Sequence, residues 1–162
     1  MAGLVLDLLR HGDALPAGPG GDAARVLSPT GRQTLERLGA RLAAEGVRYE
    51  RALASQLRRA VESADALLGA FSERPPVETL EALGPDSSPL QVLDALRRAG
   101  LEENHALLIG HQPLLGQVVA LLANAEASFA PGSLVRIEFT AGPAMGAGRI
   151  ARTLHPRELD TA

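Results

Sequence analysis

Two histidines of this chain come directly after apolar runs that have the length of a strand. Residues 4–9 form the first run and are followed by Arg10 and His11, and residues 105–109 form the second, followed after one glycine by His111. A short apolar run bounded by turn signals predicts a buried strand. Because ligands of open α/β sheets bind beyond the carboxyl ends of strands, we expect both histidines to face one site.

Arginine is the other residue type that could do chemistry here. Arg58 and Arg59 follow a third short apolar segment, residues 51–55, and all 16 basic residues of the chain are arginine. Guanidinium forks bind phosphate oxygens well, and phosphoryl transfer requires mainly positioning and charge stabilisation. A pocket that combines both histidines with Arg10 and one of these later arginines would suit a dianionic phosphoryl group.

Four motifs in a fixed order resemble the histidine phosphatase superfamily. Its Arg-His-Gly signature is matched at residues 10–12. Three further motifs follow: a helix-opening segment at residues 27–32, a second-arginine motif at residues 55–60 and a second-histidine motif at residues 110–113. The resemblance runs from Leu4 to about Leu122, and the short chain is similar to the small SixA-type phosphohistidine phosphatases.

The resemblance implies an α/β fold of the phosphoglycerate mutase type, a three-layer sandwich in which helices cover both faces of a mostly parallel central sheet. The periodicity agrees, because segments of strand length alternate with segments of helical spacing. Strands are predicted at residues 4–9, 51–55, 77–80, 105–109, 134–139 and 149–154. Helices are predicted to open at Ser28-Pro29, Arg58, Pro89 and Pro113, and Leu90, Leu93 and Leu96 are expected to face inward.

The resemblance also implies a role for each residue of the site. His11 would attack phosphorus and become transiently phosphorylated, and water would then hydrolyse this intermediate. Arg10, Arg59 and His111 would hold the non-bridging oxygens, and Gly12 would let the ligand come close to the backbone. No cofactor and no metal would be needed.

The sequence departs from the family pattern in two small ways. Gln56 replaces the usual proline of the second-arginine motif, and Ser63 stands where threonine is common. Neither change removes a charged group. Alignment of the same motif selects Arg59 as the inward arginine and leaves Arg58 in solvent.

The two histidines are expected to differ in protonation. His11 must be neutral on its attacking nitrogen, so its other nitrogen should donate to a carbonyl or carboxylate, with the backbone next to Gly12 as a candidate. His111 would be most useful when protonated, beside the negative charge of the phosphate. The expectation is a bell-shaped dependence of activity on pH.

The proton donor for the leaving group is the least determined residue. In many members of the family it is a carboxylate after the second-arginine helix, where Glu78, Glu81 and Asp86 lie in this chain. Asp13 lies near the first motif. Glu81 is the first choice among the four.

Little of the chain remains to form a lid, which favours a phosphate carried on a protein surface. The expected substrate is phosphohistidine on a histidine phosphotransfer protein. The alternatives are a small phosphate ester, with the chain acting as a metabolite phosphomonoesterase or mutase, and a noncatalytic phosphate-binding module. A metal-dependent hydrolase is disfavoured, because the four histidines show no ligand spacing.

Length, composition and charge limit the classes to which the protein can belong. The 162 residues suit one domain, residues 1–162, and the chain has no cysteine. A formal net charge of −3 argues against nucleic-acid binding. The N-terminus lacks a signal-peptide pattern and no apolar run reaches transmembrane length, so we expect no membrane contact and a cytoplasmic location.

Overall fold

The computed structural model of the protein describes residues 3–160, and the strands of this part of the chain form one mixed sheet. The strands are β1 (Leu4–Arg10), β2 (Arg51–Ala54), β3 (Val77–Thr79), β4 (His105–Gly110), β5 (Leu134–Phe139) and β6 (Arg149–Leu154). Their order across the sheet is β3-β2-β4-β1-β5-β6. The first four strands in this order are parallel, β5 is antiparallel to β1, and the edge strand β6 is antiparallel to β5.

Helices cover both faces of the sheet, as predicted. They are α1 (Pro29–Ala44), α2 (Arg58–Leu68), α3 (Pro89–Arg98) and α4 (Leu114–Ala123). The side chains of α1 and α2 pack with Leu9, Ala52 and Leu107 on one face. Those of α3 and α4 pack with Leu6 and Leu108 on the other. Burial of these two apolar layers is the main favourable contribution to folding. No helix among residues 3–160 combines the length and the apolar character needed to cross a membrane.

The helices begin within one residue of the predicted positions, and α1 and α3 do so at a serine cap followed by proline. The Ser28 hydroxyl oxygen accepts a hydrogen bond from the Gly31 N–H at 3.0 Å, and Ser88 forms a capping box with Gln91 at the start of α3. One prediction about the core is wrong. Leu90, which was expected to face inward, is exposed in the first turn of α3. The inward positions of that helix are Val92, Leu93 and Leu96.

Glycine at position 12 lets α1 pack against the end of β1. A Cβ atom at Gly12 would lie 2.9 Å from Leu35 Cδ1 and 3.2 Å from the Gly31 carbonyl oxygen. A larger residue would therefore push α1 away from the strand. The space that a side chain at position 12 would fill is thus occupied by α1, and the approach of a ligand to the Gly12 backbone stays a prediction.

Candidate active site

The carboxyl edge of the parallel strands brings the four predicted charged and imidazole residues together. Arg10 ends β1 and His11 follows it, His111 follows β4, and Arg59 lies in the first turn of α2. The centroids of the two imidazole rings are 5.0 Å apart and the ring planes are tilted by 51°. We call Arg10, His11, Arg59 and His111 the oxyanion site. Arg58 points away and pairs with Glu62 at 3.1 Å, as predicted.

His11 is held as a neutral imidazole with a defined tautomer. Its Nδ1 donates to the Gly12 carbonyl oxygen at 2.8 Å, which confirms the predicted backbone partner. The Nε2 atom therefore keeps its lone pair. Burial, together with the charges of Arg59 and Arg10, lowers the pKa of His11 to about 4, so the ring is uncharged at neutral pH.

Ser63 connects α2 to the backbone that holds His11. Its hydroxyl oxygen accepts from the Gly12 N–H at 3.0 Å and its hydroxyl donates to the Arg59 carbonyl oxygen at 2.6 Å. Ser63 is completely buried. It fixes the same peptide segment whose carbonyl sets the His11 tautomer.

His111 is neutral as well in the protein without substrate, whereas the predicted protonation concerns the complex with phosphate. Burial, then the charges of His11 and Arg59, lower the pKa of His111 to about 3. The Ser55 Oγ lies 2.6 Å from His111 Nε2 and accepts from the Leu57 N–H at 3.3 Å. The Ser55 hydroxyl proton is then free to point at Nε2, which leaves the ring proton on Nδ1. A neutral His111 can therefore still donate to an oxyanion.

The two arginines are anchored by main-chain carbonyl groups. Arg10 Nη1 donates to the Phe129 carbonyl oxygen at 2.8 Å, and burial lowers the pKa of Arg10. Arg59 Nη1 donates to the Asp22 carbonyl oxygen at 2.9 Å and its Nη2 donates to Asp22 Oδ2 at 3.2 Å. The Arg59 side chain is 7% exposed. Each guanidinium thus has a fixed orientation before any ligand binds.

Three buried nitrogens of the oxyanion site have no hydrogen-bond partner within the described residues: Arg10 Nε, Arg59 Nε and His111 Nδ1. No other buried side-chain nitrogen or oxygen in the described part of the chain shares this property. Unpaired buried donors are costly and uncommon in folded proteins. All three belong to the oxyanion site.

The four predicted proton donors differ in their surroundings. Glu81 lies on a short 3-10 helix, Glu81–Leu83, and is exposed. Glu78 is bound by Arg51 at 2.8 and 2.9 Å, and this hydrogen bonding lowers the pKa of Glu78. Asp13 accepts from the Ser28 hydroxyl at 2.6 Å, and Asp86 lies in an exposed turn.

Sequence reasoning missed Asp22, whose carboxylate does contact the oxyanion site through Arg59. Asp22 begins a 3-10 helix, Asp22–Ala24, in the Gly- and Pro-rich loop after β1. It lies 37 positions before Arg59, and no local pattern announces the contact. Ser55 and Ser63 could have been found, because both lie in or beside the second-arginine motif.

Within residues 3–160, no group of three or more His, Asp or Glu side chains has an arrangement that could hold a metal ion. Arg10 and Arg59 bring two positive charges close to both histidines. The charge of this donor set suits an anion rather than a cation.

Comparison with known proteins agrees with the resemblance found in the sequence. The family model of the histidine phosphatase superfamily (branch 1) matches residues 6–84. This segment contains the Arg-His-Gly and second-arginine motifs. None of the curated proteins compared with the chain matches it.

Solved structures extend the likeness to nearly the whole chain. The protein histidine phosphatase SixA complexed with tungstate is 25% identical with a TM-score of 0.84, covering 96% of this chain and 99% of that chain. A structure described as a SixA phosphohistidine phosphatase of Agrobacterium tumefaciens is 21% identical with a TM-score of 0.79, covering 94% and 98%. Phosphoglycerate mutase of Bacillus anthracis is 13% identical with a TM-score of 0.68, covering 98% and 96%.

The last two likenesses concern the fold alone, and they confirm the predicted phosphoglycerate-mutase-like α/β architecture. The family match and the SixA structure at 25% identity confirm the resemblance to the histidine phosphatase superfamily and its SixA-type members. These comparisons support an enzyme with phosphatase activity.

Proposed function

Starting from this confirmed resemblance, we propose that the protein is a metal-independent phosphatase that acts through a phosphohistidine intermediate on His11. The substrate we propose is phosphohistidine on a histidine phosphotransfer protein. The observation that carries the proposal is the set of three unpaired buried donors, on Arg10, Arg59 and His111, around a neutral histidine with a free Nε2.

The first chemical step follows from the tautomer of His11. Because Nδ1 donates to the Gly12 carbonyl, the Nε2 lone pair is free to attack phosphorus. The Nε2–P bond forms while the bond from phosphorus to the leaving group breaks, and the leaving group keeps the electron pair. The Gly12 carbonyl stabilises the positive charge that develops on the ring.

The three unpaired donors act on the charge of the transferring group. Arg10, Arg59 and His111 would donate to the non-bridging oxygens, whose charge must be held throughout the transfer. Since these donors are fixed before binding, little reorganisation is needed in the reaction. In the second step the oxygen of water bonds to phosphorus, the Nε2–P bond breaks and its electron pair returns to His11. Inorganic phosphate, which keeps the protons of the water, leaves the site.

The nature of the substrate rests on the likeness to SixA and on the size of the chain. The chain covers 99% of the SixA structure that it resembles, a protein that is named a protein histidine phosphatase and that binds tungstate, a tetrahedral oxyanion like phosphate. A small phosphate ester is the alternative substrate. The single-domain organisation of residues 1–162 and a cytoplasmic location stay predictions.

The proton donor depends on the substrate. For an ester, Glu81 stays the predicted donor, and its position after β3 lies at the same edge of the sheet as the ends of β1 and β4. A phosphoramidate has a better leaving group once its ring carries a proton. Such a substrate would require less of a dedicated acid.

The test is hydrolysis of p-nitrophenyl phosphate in the presence of a chelator by the wild type and by His11→Ala. We expect wild-type activity without metal, and a loss of at least about 10⁴-fold in the variant, as for the removal of other catalytic nucleophiles. Arg58→Ala is the matched control, because this arginine pairs with Glu62 outside the site. Equal activity of His11→Ala and wild type would contradict the proposal, as would loss of activity in the chelator.

A further inference from the structure

The carboxylate of Asp22 lies beside the oxyanion site and has no role in the mechanism described so far. Its Oδ2 accepts from Arg59 Nη2 at 3.2 Å and its Oδ1 accepts from Arg25 Nη1 at 3.3 Å. The charge of Arg59, with hydrogen bonds from Arg25 and Arg59, lowers the pKa of Asp22. Asp22 is therefore an anion at neutral pH and a poor proton donor.

Asp22 lies at the rim of the site and His11 at its base. The Asp22 side chain is 62% exposed, whereas His11 is 9% exposed. In-line transfer puts the leaving group on the side of phosphorus opposite the attacking nitrogen. A leaving group opposite a buried His11 extends towards solvent, past the rim where the Asp22 carboxylate lies.

When the substrate is a phosphorylated imidazole, the charge of the leaving ring depends on its protonation. If the ring carries a proton on its other nitrogen, it leaves as neutral imidazole, whereas an unprotonated ring would have to leave as an anion. A carboxylate that accepts a hydrogen bond from this N–H stabilises the protonated ring. Each Asp22 oxygen has a second acceptor position in addition to its arginine partner.

We propose that Asp22 binds the imidazolium ring of a phosphohistidine substrate and makes the site selective for phosphorus–nitrogen bonds over phosphorus–oxygen bonds. The inference rests on the proposed phosphatase function. The His11 Nε2–P bond forms, the P–N bond of the substrate breaks, and its electron pair stays on the leaving nitrogen. The ring leaves neutral with the proton it already had, and Asp22 transfers none.

Arg25 keeps the carboxylate in place for this contact. Its Nε donates to the Leu15 carbonyl oxygen at 2.8 Å, so it connects the loop after Gly12 with Asp22. Arg59 acts from the other side, and its buried guanidinium faces both the phosphoryl group and the carboxylate. An ester leaving group, which has no cation, would gain nothing from Asp22.

The experiment compares phosphoimidazole with p-nitrophenyl phosphate at pH 7 as substrates of wild type, Asp22→Asn and Asp65→Asn. Asp65 is the matched control, an exposed aspartate that pairs with Arg74 at 3.0 Å away from the site. For Asp22→Asn we expect kcat/KM to fall about 10- to 100-fold for phosphoimidazole and to change less than about 3-fold for the ester. Asp65→Asn should leave both values unchanged.

An equal loss on both substrates would overturn the inference, because Asp22 would then act only by orienting Arg59. A gain on both would also overturn it, because the carboxylate would then merely compete with phosphate for Arg59. The inference would be refuted if Asp22→Asn left the ratio of kcat/KM for the two substrates unchanged. The proposed function would stand in that case if ester hydrolysis still depended on His11. Absence of His11-dependent activity on both substrates would refute both.

Discussion

Two buried polar clusters lie on the same strand, β1, and they differ in how completely their groups are paired. In the middle of the strand Asp7 contacts Tyr49, His105 and Arg136, a group that we call the Asp7 cluster. Arg136 binds Asp7 at 2.8 and 3.0 Å, the Tyr49 hydroxyl donates at 2.5 Å and His105 Nε2 lies at 3.2 Å. At the carboxyl end of the strand, the oxyanion site keeps three donors unpaired.

The charges of the two clusters differ in the same way. Burial alone would raise the pKa of Asp7, but hydrogen bonds from His105 and Arg136 lower it by more, so the carboxylate and its arginine neutralise each other. The oxyanion site instead has cations around two neutral histidines, with Asp22 at its rim. Every polar group of the Asp7 cluster has a partner within the described part of the protein, whereas the oxyanion site keeps three buried nitrogens without one.

The largest effect on stability is expected from Asp7→Ala. Removing this carboxylate leaves Arg136 without its partner, and breaking a buried ion pair in this way costs about 3–5 kcal/mol. Urea unfolding should show this loss, while activity per folded molecule stays at the wild-type value. A loss below about 1 kcal/mol would show that the Asp7 cluster does not stabilise the fold.

Arg59→Gln should lower activity strongly and stability little, which is the opposite of the effect expected for Asp7→Ala. It removes one donor to the phosphoryl oxygens, so kcat/KM should fall about 10²- to 10³-fold, as when one donor to a developing oxyanion is removed. The free energy of unfolding should not fall as it does for Asp7→Ala, because a buried cation among other positive groups is removed. Arg58→Gln is the control for both measurements. Nearly full activity in Arg59→Gln would contradict the role of this arginine.

The two clusters should also differ in their response to acid. Histidines of the unfolded chain take up protons near pH 6.5, whereas His11 and His111 stay neutral down to about pH 4 and about pH 3 in the folded protein. The unfolded state therefore binds more protons between pH 6.5 and 4. The free energy of unfolding should fall with falling pH by up to about 1.4 kcal/mol per unit for each histidine.

The double variant His11→Asn/His111→Asn separates the clusters in this measurement. It should remove the slope between about pH 6.5 and 5, since Asp7, whose pKa is lowered below the ordinary value of 3.8, contributes only below about pH 5, where the carboxyl of the unfolded chain takes up a proton. Stability would be measured by urea unfolding at several pH values. A slope that the double variant leaves unchanged would mean that the histidines are not neutral in the folded protein.

The smallest effect is expected from Ser63→Ala. It removes the acceptor of the Gly12 N–H, so the carbonyl that holds His11 is less well positioned. We expect kcat to fall about 3- to 10-fold, the value of one hydrogen bond. Ser63→Thr keeps the hydroxyl and should restore the activity. If alanine and threonine behave alike, the hydroxyl does not position His11.

Much of the fold could be predicted from periodicity. The predicted bounds of β5 and β6 agree with those of the structure, and β1 extends only one residue beyond its apolar run. Leu90 was assigned to the core because its spacing to Leu93 is helical. In the structure the apolar face of α3 begins at Val92, and Leu90 is exposed in the first turn.

The positions of the site residues were predictable, but the electrostatics of the site was not. Arg10, His11 and His111 lie at strand ends, and strand ends can be recognised in a sequence. The protonation of His111 depends on its 2% exposure and on the charges of His11 and Arg59, which only the packed structure determines. The contact between Asp22 and Arg59 joins a loop to a helix across 37 positions, and no local pattern predicts such a contact.

The measurement that tests the central claim most directly is detection of the phosphorylated enzyme during turnover. Wild-type protein would be mixed with phosphoimidazole, quenched rapidly and mapped by peptide mass spectrometry, with His11→Asn as the control. Our account predicts one phosphoryl group on the peptide that contains His11, and none in the variant. Rapid turnover with no phosphoryl group on the protein, or with the group on a residue other than His11, would contradict it.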